Sequence, residues 1–209
     1  MSRFFGAAAT VAGAFLLAVA LSPQIAAAAQ SEEGEDDPGK GIVYLIRGGL
    51  NIFSTGMDEV AAKLRARGVD ARTLGQATWR DAAKEAAGRY EETPEPIVFV
   101  GHSFGANAAV LAAEQLGRSN IPVALIILFD PTEVLKAPYN VERLLNYVSV
   151  DSLGMNVDVW AAPGFAGKVE NILHPDVNHI QIDNDEAIQD KAVGEIVKAV
   201  GSGARAAAE

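Results

Sequence analysis

Apolar runs alternate with stretches of helical spacing along most of this chain. Gly41-Ile42-Val43-Tyr44-Leu45-Ile46 is continuously hydrophobic, the signature of a strand covered on both faces. Met57 to Arg67 follows with helical spacing at Val60, Ala61 and Leu64, with Ser54 or Thr55 to cap it and Gly68 to end it. Val69 to Leu74 reads as a short strand, and Thr78 is placed to cap a helix running to about Arg89. Pro94 and Pro96 break that pattern before the run Pro96 to Val100. A helix from Ala106 to Leu116 stops at Gly117, and Pro122 to Phe129 is the most hydrophobic strand. Leu144 to Val150 and Lys168 to Leu173 read as the last two strands, separated by a Pro- and Gly-bearing loop from Trp160 to Gly167. Asn184 or Asp185 is placed to cap a final amphipathic helix with Ile188, Ala192, Ile196 and Val197 on one face. Six strands with helices between most of them predict an α/β fold: a mainly parallel six-stranded sheet with helices on both faces.

The first 40 residues break this pattern. Arg3 supplies a basic start, Ala7 to Leu21 is apolar, and Ala27-Ala28-Ala29 offers small residues for cleavage, so residues 1–29 read as an export signal. An uncleaved membrane anchor is the rival reading. Residues 30–40 hold Glu32, Glu33, Glu35, Asp36 and Asp37 and read as a solvated acidic linker. The domain proper is expected over 41–201, followed by a loose tail at 202–209. The expected location is periplasmic or secreted, with no stable membrane insertion after signal cleavage. The chain has no cysteine, so neither a disulfide nor a lipid-modified cysteine is available. A formal charge of −10 argues against nucleic acid and against an anionic membrane surface as partners.

In parallel α/β sheets, reactive residues gather at the carboxyl ends of strands. Gly101-His102-Ser103-Phe104-Gly105 sits at such an end, between a strand and a helix. A serine at the tip of so sharp a turn takes a strained backbone, and side chains at the flanking glycines would collide with strand and helix. A serine hydroxyl needs a base, and the base needs a carboxylate to hold its tautomer. The chain has three histidines. His102 should project away from the serine tip. His174 lies just past the last strand, and His179 lies in a loop able to reach back over the sheet edge, which makes His179 the preferred base. Asp130 and Asp151 each end a strand. Asp130 is preferred because it follows the more hydrophobic strand and a proline fixes its turn, with Asp151 as the alternative and Asp158 and Asp176 as remoter ones. The oxyanion formed in acyl transfer calls for backbone donors, expected at Phe104 and at Gly49 or Leu50 in the Arg47-Gly48-Gly49-Leu50-Asn51 loop. The short spacing of His174, Asp176 and His179 also suggests a metal site, but that would leave the serine turn unexplained.

On Gly101-His102-Ser103-Phe104-Gly105, the Gly48-Gly49 loop, Asp130 and His179 in that order, the chain resembles the α/β-hydrolase family from about Gly41 to Val200. It is similar in size to cutinases and the smallest bacterial lipases, and starts at what the family calls its third strand. The resemblance implies a serine hydrolase of carboxylic esters working through an acyl-enzyme, with no metal or organic cofactor. The substrate would be a small-molecule, lipid or polymer ester. Leu50, Phe53 and Trp160, with Phe104 and Phe165, are candidates to line an acyl pocket. Arg47 stands where the family often has a histidine-led glycine motif, and the family's acid most often occupies the Asp151 position. No long insertion provides a large lid. The alternative is a hydrolase fold kept as a non-catalytic binding or scaffold protein.

Overall fold

The computed structural model describes residues 41–49, 54–150 and 158–206. The expected signal and linker, Leu50, Phe53, Asp151 and the end of the tail lie outside the described residues.

The chain runs β1 (Ile42–Arg47), α1 (Gly56–Arg65), β2 (Asp70–Gly75), α2 (Trp79–Glu92), β3 (Ile97–His102), α3 (Phe104–Gly117) and β4 (Val123–Phe129). It continues through β5 (Lys136–Ala137), β6 (Val141–Ser149), β7 (Trp160–Ala161), β8 (Lys168–His174) and α4 (Glu186–Ala206). Six strands form one sheet in the order β2-β1-β3-β4-β6-β8, and every pairing is parallel.

Successive side chains of a strand point to opposite faces, and the two faces collect different helices. Ile42, Tyr44, Ile46, Phe99, Ile126 and Leu128 pack with α2 and α3. Val43, Leu45, Val98, Val100, Leu125 and Ile127 pack with α1 and α4. This is why the central strands read as unbroken apolar runs: both faces of each are covered. From β1 the chain crosses to β2 on one side, and from β3 it crosses to β4 on the other. The crossovers diverge between β1 and β3, and the carboxyl ends of those two strands flank the opening where such sheets bind ligands.

Several local expectations are corrected. Trp160 to Gly167 is not wholly a loop, because Trp160–Ala161 pairs in parallel with Lys136–Ala137 as a separate two-stranded ribbon. The strand expected from Leu144 starts at Val141, where pairing with Val123 outweighs the polar Glu142 and Arg143, and ends at Ser149. Neither Ser54 nor Thr55 caps α1. The Ser54 hydroxyl is bonded to Gly48 and His102, while the Thr55 hydroxyl donates to Asn184 Oδ1. Thr78 donates to the Gly75 carbonyl and does not cap α2. Gly68 does end the α1 segment, at φ +80°, and Asp185 Oδ1 accepts the Ile188 N–H at 3.0 Å to cap α4. After Gly117 it is Asn120, at φ 55°, that turns the chain into β4.

Candidate active site

β3 delivers the chain to Ser103 with no slack. Ser103 takes φ 57° and ψ −125°, a backbone state that L-residues avoid, before α3 begins at Phe104. The flanking glycines are sterically required. A Cβ on Gly101 would lie 2.2 Å from the Gly105 carbonyl oxygen, and one on Gly105 would lie 2.1 Å from that of Ile46. The sharp turn lifts the hydroxyl out of the sheet and leaves the first N–H groups of α3 beside it, where no intrahelical acceptor exists.

His179 reaches Ser103 from the loop between β8 and α4. Its Nε2 lies 3.0 Å from Ser103 Oγ, and its Nδ1 lies 3.2 Å from Asp130 Oδ2. The loop is shaped by Asn178, whose side-chain oxygen accepts the N–H groups of Ile180 and Gln181 at 3.0 Å each. Asp130 follows β4, is fully buried, and takes φ 47°. Its Oδ1 accepts the Ser149 N–H at 2.7 Å, and its Oδ2 accepts the Ser149 hydroxyl. Burial works to raise the pKa of the Asp130 carboxyl. The hydrogen bonds from His179 and from both donors of Ser149 outweigh it and hold the group below the ordinary carboxylate value, so it is charged at neutral pH. Asn107 on α3 braces the same turn, accepting the Thr132 N–H at 3.1 Å and donating to Thr132 Oγ1 at 2.7 Å.

With the Asp130 carboxylate as acceptor, Nδ1 of His179 carries the proton and Nε2 offers its lone pair to the Ser103 hydroxyl. That is the arrangement needed to remove a proton from Oγ as it attacks.

The other sequence candidates fall elsewhere. His174 ends β8 and packs edge-on against Tyr147, with ring centroids 5.3 Å apart. Its pKa is lowered by burial and then by Lys191. Both ring nitrogens of His179 are engaged by Ser103 and Asp130, so it does not pair with His174 and Asp176 as a metal ligand. Asp158 and Asp176 are exposed. Gly49 lies under the Phe104 ring, 3.6 Å from where its Cβ would be. Phe104 opens α3 with its ring half exposed, and Trp160 stands exposed on the small ribbon. Phe165 packs against the core on the α2/α3 face of the sheet, so it is not an exposed pocket residue.

His102 turns away from the serine tip, as expected, but it is not idle. It is buried, with Nδ1 2.7 Å from Ser54 Oγ and Nε2 2.8 Å from the His179 carbonyl oxygen. Burial pushes its pKa down to about 4, so the ring is neutral at physiological pH. Four participants escaped the sequence reading: Ser149, Ser54, Asn107 and Asp183. None was singled out by a motif: Ser149, Ser54 and Asn107 are held by tertiary hydrogen bonds, and Asp183 places Oδ2 3.6 Å from His102 Nδ1. The run from Leu144 to Val150 contains Ser149, but only the pairing of β6 with β4 sets it beside Asp130.

No family description and no curated protein matches this chain. Solved structures do. A hormone-sensitive lipase from a metagenome library superposes with a TM-score of 0.55 at 13% identity, covering 78% of this chain and 78% of that one. A mutant esterase superposes with a TM-score of 0.50 at 15% identity, covering 79% of this chain and 77% of the other. Identity this low speaks only to architecture. The parallel sheet, the serine turn after β3 and these superpositions agree on that point: the chain has the α/β-hydrolase fold.

Proposed function

We propose that this protein is an exported serine hydrolase of carboxylic esters. One observation carries the reading: Ser103 Oγ, His179 Nε2, His179 Nδ1 and Asp130 Oδ2 form a continuous line with separations of 3.0 and 3.2 Å. The fold supports the reading, since one superposed structure is a lipase and the other an esterase.

In this mechanism Ser103 Oγ attacks the ester carbonyl carbon while its proton passes to His179 Nε2. The imidazolium that results is stabilised by the buried Asp130 carboxylate. The carbonyl oxygen becomes an oxyanion held by the N–H of Phe104 and by that of Gly49 or Leu50. Collapse expels the alcohol, which takes the proton from Nε2 and leaves an acyl ester on Oγ. Water then attacks the acyl carbon and gives its proton to Nε2. The carboxylic acid leaves and Oγ recovers its proton. Leu50, Phe53, Phe104 and Trp160 are the apolar side chains proposed to receive the acyl group. No metal or organic cofactor is needed for any step.

Nitrophenyl esters of increasing acyl length test the reading. Wild type should release nitrophenol, with a preferred chain length, and Ser103→Ala should lose the activity by about 10^4-fold or more while keeping its circular dichroism spectrum. Equal rates for wild type and Ser103→Ala would remove the proposal. Export is tested separately. Arg3, the apolar run from Ala7 and the alanines ending at Ala29 support signal cleavage, and a mature amino terminus at Gln30 in a periplasmic or culture fraction is the expected result.

A further inference from the structure

We infer that His102 is a positioning residue that ties the loop carrying His179 to the loop carrying the proposed oxyanion donors. The inference rests on the serine-hydrolase reading for its effect on rate, but on geometry alone for the tie itself.

The donors and acceptors can be assigned in only one way that uses every group. The His179 carbonyl accepts only, so His102 Nε2 carries the proton and donates to it across 2.8 Å. A neutral ring then has a lone pair at Nδ1, which accepts the Ser54 hydroxyl proton across 2.7 Å. The Ser54 oxygen in turn accepts the Gly48 N–H across 2.9 Å. One directional chain therefore runs from Gly48 through Ser54 and His102 to the backbone of His179. Ser54 and His102 are both almost fully buried, so water is a poor substitute for either. Gly48 has no room to move aside, since a Cβ there would lie 2.8 Å from the His102 carbonyl oxygen and 2.9 Å from Ser103 Cβ.

Asp183 faces the same ring. Its Oδ2 is 3.6 Å from His102 Nδ1, too far for a hydrogen bond, and has no hydrogen-bond partner among the described residues. The two do not form an ion pair, because burial holds the imidazole neutral and pushes the Asp183 carboxyl up to about 7. His179 and Glu59 are the charged or titratable groups that act on Asp183, and His179 and Asp130 those that act on His102.

A backbone tie matters because a base displaced by an ångström loses the line to Oγ. His102→Asn places an amide near the Nδ1 position, keeping a partner for Ser54 but losing the donor to His179. His102→Gln reaches the Nε2 position and restores that donor. Kinetics with a nitrophenyl ester should show kcat down roughly 10- to 100-fold in the Asn variant and recovered in Gln to the level of Ser54→Ala, since Gln restores the donor to His179 but leaves the Ser54 proton without Nδ1. KM should stay within about twofold in both, since the tie does not touch substrate. Ser54→Ala, which removes the proton donor to Nδ1 together with the acceptor for the Gly48 N–H, should lower kcat by roughly threefold or more and serves if the Asn variant fails to fold.

Proton NMR gives a readout independent of turnover. The downfield His179 Nδ1–H signal expected from the Asp130 hydrogen bond should persist in wild type and His102→Gln and broaden or vanish in His102→Asn. Unchanged kcat and an unchanged His179 signal in His102→Asn, or equal losses in Asn and Gln, would overturn the inference. A wild type without esterase activity but with the expected NMR pattern would overturn the enzyme reading and leave the tie standing.

Discussion

Asp130→Asn keeps size and shape while changing which proton sits where. Asp130 Oδ1 accepts the Ser149 N–H at 2.7 Å, a backbone donor that cannot rotate away. An asparagine must therefore set its carbonyl oxygen there, which puts its NH2 at the Oδ2 position, 3.2 Å from His179 Nδ1. Facing a donor, Nδ1 becomes an acceptor and the imidazole proton moves to Nε2. That nitrogen now presents N–H to Ser103 and has no lone pair for its proton. The Ser149 hydroxyl, which donates to Oδ2 in the wild type, can turn to accept. The fold should survive and the chemistry should not. A wrong tautomer in a Ser-His-Asp arrangement costs about 10^4 in kcat, or ~5.5 kcal/mol of transition-state stabilisation. The assay is kcat for nitrophenyl ester hydrolysis, measured alongside Asp151→Asn and with urea denaturation to confirm folding. Asp151→Asn should keep kcat within about twofold, since Asp130 already fills the place of the acid at His179 Nδ1. Retention of activity in Asp130→Asn, with loss in Asp151→Asn, would refute the assignment of the acid.

Gly105→Ala drives a methyl to 2.1 Å from the Ile46 carbonyl oxygen, a backbone atom that cannot yield cheaply. It should lower stability by about 3 kcal/mol and activity with it, and a melting temperature equal to wild type would contradict the close approach of α3 to β1. The buried carboxyl of Asp183 titrates near 7 in the fold against an ordinary value of 3.8, so its contribution is full below 3.8 and is lost as pH rises through about 7. Asp183→Asn cannot ionise, and its stability relative to wild type should therefore climb between pH 4 and 8 by up to ~4 kcal/mol in urea titrations. A difference that is flat with pH would show that this carboxyl is already charged. His102 has the opposite sign: its pKa falls to about 4 from 6.5, so its contribution is present above 6.5 and is lost as pH falls through about 4.

The sequence pattern made the sheet legible because doubly covered strands leave no polar positions to confuse the reading. Ser103 was equally visible, since a turn that tight admits only glycine two residues on either side. His179 and Asp130 could be ranked by their place after strands. The sequence ranked Asp130 above Asp151 on its strand and its proline turn, but the support of Ser149 from a strand 19 residues further on is visible only in the structure. The Ser54–His102 tie was hidden for the same reason. Ser54 looks like a helix cap in the sequence, and only the approach of β3 to the loop after β1 reveals that its hydroxyl is already engaged. Trp160 looked like loop because a two-residue strand has no periodicity to read.

A Ser103 hydroxyl activated by His179 reacts with electrophiles that leave ordinary serines untouched. Intact-mass and peptide mass spectrometry after treatment with a fluorophosphonate read that reactivity residue by residue. The expected result is one adduct per chain, on the peptide bearing Ser103, absent from Ser103→Ala and formed far more slowly in His179→Ala. A folded wild type that takes up no adduct, or labelling that persists in Ser103→Ala, would contradict it.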